Sequence, residues 1–128
     1  MKKPIYDWGN QHAAIFDSYI HALDGTGIRY FILRNYEGLP EYNESKDIDL
    51  IIEPGKYDHA AQLLLQVFEE YKIEYYYVVK YERVRCWFGM NASDDFAIHI
   101  DLIEGKDLRY LNLKNYIIIL LNTRNTMY

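Results

Sequence analysis

A single cysteine, Cys86, stands in a chain of 128 residues, so no disulfide can close within it. A lone thiol suits a reducing compartment, and a cytoplasmic address is the expectation. No apolar run comes near the roughly 18 residues that a membrane helix needs. Lys2 and Lys3 have no apolar stretch behind them, so neither a membrane anchor nor a signal peptide is expected. Basic residues are also few: 14 lysines and arginines against 19 acids leave a net charge of −5. The densest basic group, Lys80, Arg83 and Arg85, is interrupted by Glu82. Nucleic-acid surfaces gather such residues into a patch, so neither a nucleic acid nor a membrane is an expected partner. Glycine is sparse as well, and no Gly-rich Walker or dinucleotide-binding pattern occurs.

What is present reads as one globular domain over residues 1–128. Half of the residues are hydrophobic and about a quarter are charged. Apolar residues at helical spacing predict an amphipathic helix from about Asn10 to Leu23, stopped by Asp24-Gly25-Thr26-Gly27. A short buried strand is expected from Ile28 to Leu33, then a loop from Asn35 to Lys46, then a strand closed by Pro54-Gly55. Ala60, Ala61, Leu64, Leu65, Phe68 and Tyr71 make one stripe of a second helix, Tyr57 to Tyr71. Strands from Ile73 to Val79 and Val84 to Met90 form a hairpin by composition. A turn over Asn91 to Asp95 then leads into a strand from Phe96 to Ile103. This order implies an α+β fold, a mixed sheet with helices mainly on one face. Leu113 to Leu121 is apolar nearly all round. Such a helix packs on the sheet, on a second copy, or on a domain missing from a fragment.

The chemistry concentrates in aspartates on two of these strands. In Lys46-Asp47-Ile48-Asp49-Leu50-Ile51-Ile52, alternation sends Asp47 and Asp49 to one face and Ile48 and Leu50 to the other. In Ile98-His99-Ile100-Asp101-Leu102, His99 and Asp101 share a face by the same rule. If the strands are neighbours, three carboxylates converge, and such a cluster needs a cation or shared protons. The set Asp47, Asp49 and Asp101 is therefore the candidate catalytic and metal-binding group, with Mg²⁺ or Mn²⁺ as the cation. The alternative is strand-end residues paired with arginines.

Other titratable residues carry less. His99 either ligates metal or hydrogen-bonds an aspartate, or is a half-buried histidine satisfied by a neighbour. His12 and His59 have no partner at zinc-site spacing. Cys86, among Val84, Trp87 and Phe88, reads as a core residue. Tyr75, Tyr76 and Tyr77 read as half-buried strand residues with wet hydroxyls.

The run Tyr30-Phe31-Ile32-Leu33-Arg34-Asn35-Tyr36-Glu37-Gly38-Leu39-Pro40, followed by Asp47-Ile48-Asp49-Leu50 and later Asp101, resembles the nucleotidyltransferase fold of the polymerase beta and kanamycin nucleotidyltransferase superfamily. Within it, the run is most similar to nucleotidyltransferase-like proteins often encoded in bacterial surface-polysaccharide clusters. The resemblance spans about residues 15–104. It implies transfer of a nucleoside monophosphate from a nucleoside triphosphate to a hydroxyl of a small molecule, glycan precursor or protein. Asp47 and Asp49 would hold the metal that orients the triphosphate. Asp101 would share a second metal and sit where the attacking hydroxyl loses its proton. Arg34-Asn35 stands where superfamily members usually carry Gly-Gly or Gly-Ser, and eleven residues separate Asn35 from Asp47. Arg34, Asn35 and Lys46 are the candidate phosphate-binding residues, with ion pairing of Arg34 to Glu37 or Glu44 and a solvated Lys46 as alternatives. A catalytically inactive nucleotide-binding or interaction module, and an antitoxin-type enzyme acting on a partner protein, are the competing readings.

Overall fold

The computed structural model describes residues 8–32, 39, 48–81 and 84–105. In chain order the elements are α1 (Asn10–Thr26), β1 (Tyr30–Ile32), β2 (Ile48–Ile52), α2 (Tyr57–Glu70), β3 (Tyr75–Tyr81), β4 (Val84–Asn91) and β5 (Phe96–Glu104). The five strands form one sheet in the order β1-β2-β5-β4-β3. Three of its pairings are antiparallel, and β2 with β5 is parallel. The fold is the mixed α+β sheet that the sequence predicts. Residues 35–38, 40–46 and 113–121, which include most of the expected loop and the apolar C-terminal helix, lie outside the described residues.

The helices share one face of the sheet because alternation on β1, β2 and β5 supplies an apolar set to it. Tyr30 and Ile32 of β1, Ile48, Leu50 and Ile52 of β2, and Ile98, Ile100 and Leu102 of β5 join one core with Ile15, Phe16, Tyr19, Ile20 and Leu23 of α1 and Ala60, Leu64, Val67 and Phe68 of α2. Each such aliphatic side chain contributes roughly 1.5–3 kcal/mol on leaving water. Polar groups in this layer are paired. The Tyr19 hydroxyl donates to the Ala60 carbonyl at 2.8 Å, tying α1 to α2. The Trp87 indole N–H donates to the Tyr57 hydroxyl at 3.0 Å, and the Arg85 guanidinium lies 4.4 Å from the Tyr57 ring centre. His12 is buried; its Nδ1 accepts the Gly9 amide at 3.0 Å and its Nε2 lies 2.7 Å from the Ala97 carbonyl. Both ring nitrogens are thereby used, which makes His12 a structural tie between α1 and the start of β5.

α1 runs three residues past Leu23. The Thr26 hydroxyl bonds the Ala22 and Leu23 carbonyls. The helix then closes on Gly27, whose φ of 76° is left-handed and favours glycine. The Ile28 amide returns to the Leu23 carbonyl at 3.1 Å, as in a Schellman closure.

One sequence reading holds here and one is corrected. Tyr75, Tyr76 and Tyr77 are strand residues, 58%, 49% and 46% exposed. Their strand is the sheet edge, and no residue of β3 belongs to the described core. Cys86 is not in the core either: alternation on β4 sends Trp87 and Gly89 toward the helices, and Cys86 to the opposite face. Among the described residues, no helix is long and apolar enough to cross a membrane.

Candidate metal centre

On the face away from the helices, β2, β5 and β4 bring polar side chains into one row. The parallel register sets Asp49 opposite Asp101, and the antiparallel register of β4 sets Cys86 opposite Asp101 and Phe88 opposite His99. All five side chains point the same way, because residues paired across a ladder share a face. Asp49 and Asp101 are only 7% and 9% exposed. Phe31, Ile51 and Ile103 on the same face are buried as well, so the pair lies against apolar surroundings rather than in open water.

The acids are held by specific partners. His99 Nε2 is 2.6 Å from Asp101 Oδ1. The His99 ring is itself stacked on Phe88, with centres 4.2 Å apart, and Phe88 on Tyr77 at 4.8 Å. This row of rings across three strands fixes the imidazole plane. Burial alone would raise the Asp101 carboxyl. The hydrogen bond from His99, that from the Cys86 thiol, the charge on His99 and a hydrogen bond with Asp49 together outweigh burial and hold it down at about 2, against the usual 3.8. Asp101 is thus a fixed carboxylate. Its contact with Asp49 requires a proton or a cation between the two carboxyls.

Cys86, His99 and Asp101 each offer one ligand atom, and these atoms all lie within 4.8 Å of one another. Asp49 and Asp101, predicted from sequence, are brought together. Asp47, Arg34, Asn35 and Lys46 lie outside the described residues. His99 takes the hydrogen-bonding option foreseen for it. Cys86 was read as core, although its alternation with Trp87 was a signal for the other face.

No protein-family model matches the chain, and no curated protein matches it. Among solved structures, the polymerase core of TRAMP, an RNA surveillance complex, is similar over 72% of this chain, with 14% identity and a TM-score of 0.42. The chain spans 29% of that structure's chain. A likeness this loose carries no argument about activity.

Proposed function

We propose that the protein is a metal-dependent nucleotidyltransferase that moves a nucleoside monophosphate from a nucleoside triphosphate to an acceptor hydroxyl. The observation that carries this reading is the Asp49–Asp101 pair, in register on adjacent parallel strands and nearly buried. The motif resemblance supplies the reaction class. A pair of contacting carboxyls fits a hard divalent cation, because oxygen ligands are what Mg²⁺ or Mn²⁺ takes. Asp49 and Asp101, joined by Asp47, would hold it. When bound, the ion supplies charge neutralisation at the triphosphate and acidifies a bound hydroxyl.

The chain's own residues then act by position. Asp101, ionised down to about 2, suits a ligand better than a general base, since a base works best with a pKa near the operating pH. His99 holds Oδ1 of Asp101 and so orients the carboxylate. Ile48 and Leu50 anchor β2 from below in the core, which keeps the Asp49 carboxyl from swinging away. Arg34, Asn35 and Lys46 are proposed to meet the phosphates. The acidic net charge favours a small molecule, a glycan precursor or a protein as acceptor over a polynucleotide.

The Arg34-Asn35 pair in place of a glycine turn favours one second reading, a nucleotide-binding module that performs no transfer. Calorimetry with Mg²⁺ and a panel of nucleoside triphosphates, combined with a pyrophosphate-release assay, separates the two. Metal-dependent binding with pyrophosphate release on adding acceptor supports the enzyme. Binding without release supports the module, and no nucleotide response refutes both.

A further inference from the structure

We infer that the Cys86 sulfur, an imidazole nitrogen of His99 and a carboxylate oxygen of Asp101 form a binding site for a thiophilic divalent metal ion, of which Zn²⁺ is the type. The three donors come from neighbouring strands in fixed register: Cys86 on β4 faces Asp101 on β5, and His99 is two residues from Asp101 on the same face. Their ligand atoms already lie within 4.8 Å of one another, a spacing that small side-chain rotations close to a shared ion. One sulfur, one nitrogen and one oxygen are a donor set for zinc-like cations, whereas magnesium keeps to oxygen. Three protein ligands leave a fourth position open. Cys86 and His99 are half-buried and Asp101 is nearly buried, so the site is shielded from bulk water.

The site is preorganised by its own hydrogen bonds. The Cys86 thiol and the imidazole both bond Asp101, and the stacked Phe88 ring limits rotation of His99. On binding, the thiol proton leaves to solvent, since the metal takes the thiolate. If Nε2 is the ligating nitrogen, the proton it donates to Asp101 leaves as well, to Nδ1 of a neutral ring or to solvent from a charged one. No oxidant or reductant is involved. Asp101 belongs to this set and also to the proposed Mg²⁺ pair, so a zinc-like ion here withdraws Asp101 from catalysis. That inhibitory consequence rests on the nucleotidyltransferase reading; the metal site does not.

Titration of the full chain with Co²⁺, in the absence of nucleotide, tests the site. Cys86 is the only cysteine, so a thiolate-to-cobalt charge-transfer band in the near ultraviolet has a single possible source in the protein. The expected result is such a band in the wild type, competed away by Zn²⁺, absent in Cys86→Ser, and at least about tenfold weaker in apparent affinity in His99→Ala and Asp101→Asn. Circular dichroism establishes that each variant is folded. Cys86→Ser is the variant least prone to unfold, and it alone removes the sulfur. Absence of a band in the wild type at millimolar Co²⁺ overturns the proposal, and so does a band unchanged by both His99→Ala and Asp101→Asn. If transfer activity is found, Zn²⁺ inhibits the wild type at concentrations at least about tenfold lower than it inhibits Cys86→Ser, each relative to its own uninhibited rate; equal sensitivity refutes the competition. A chain that transfers no nucleotide still gives a decisive cobalt titration.

Discussion

Replacing His99 by alanine tests the electrostatics of the centre directly. The carboxyl of Asp101 is displaced from 3.8 to about 2, against the opposing effect of burial. A tenfold change in proton affinity is worth about 1.4 kcal/mol, so the displacement corresponds to ~2 kcal/mol of folding stability. Because the folded value is depressed, that contribution is fully present above the unfolded value near 3.8. It is lost as pH falls through about 2. The 2.6 Å bond from His99 is the largest of the interactions that lower the value. In His99→Ala burial remains while the principal compensation is gone, so Asp101 titrates at or above its unfolded value. The variant is therefore expected to lose ~1–2 kcal/mol through Asp101 relative to wild type at pH 6, and this part of the gap narrows below pH 4 and closes toward pH 2. Loss of the ring stacked on Phe88 adds a part that does not depend on pH. Urea unfolding followed by tryptophan fluorescence at stepped pH measures the gap. The same measurement on Asp101→Asn and on the double variant completes a cycle that isolates the pair. A gap of equal size at pH 2 and pH 6 would refute the account of Asp101.

Three further outcomes follow from the geometry. Asp49→Asn should abolish metal-dependent pyrophosphate release while leaving the melting temperature unchanged or raised, because a neutral amide beside Asp101 needs no shared proton; a large drop in melting temperature would make Asp49 structural. Ile48→Asp places a charge on the helix-covered face, where Ile48 is 2% exposed, and should cost several kcal/mol or prevent folding, read by circular dichroism and solubility. Gly89→Ala and Gly105→Ala should both destabilise, the second more. A methyl at Gly89 meets the Phe68 ring tip at 3.0 Å, which can yield for about 1–3 kcal/mol, whereas at Gly105 it meets the Ile52 carbonyl at 2.5 Å and the Pro54 ring at 2.9 Å. Thermal denaturation ranks the two, and the reverse order would contradict this packing.

The sheet interior was legible because its strands alternate cleanly. Ile48-Asp49-Leu50 and Ile98-His99-Ile100-Asp101 each declare which side chains enter the core and which turn away. Adjacency of the two strands was an assumption in the sequence and is a pairing in the structure. Cys86 was misread because its neighbours Val84, Trp87 and Phe88 are all apolar, and local composition outweighed alternation. The register was nonetheless present: the turn over residues 92–95 sets Asn91 opposite Phe96, and counting back along both strands sets Cys86 opposite Asp101. The place of Tyr75 to Tyr77 on an edge strand was not legible. Which strand ends a sheet depends on the order of pairing, and nothing in a run of tyrosines states it. Helix ends were found to within a few residues, because Gly27 closes α1 and the apolar stripe bounds α2.

The parallel pairing of β2 with β5 has a kinetic corollary. About fifty residues of chain lie between Asp49 and Asp101. The helix and hairpin between them form from nearby segments, but this ladder must close a long loop before it gains any contact. Competence of the Asp49–Asp101 pair should therefore arrive late in refolding, after most helical signal has returned, and early collapsed molecules would not yet hold a cation between these two carboxyls.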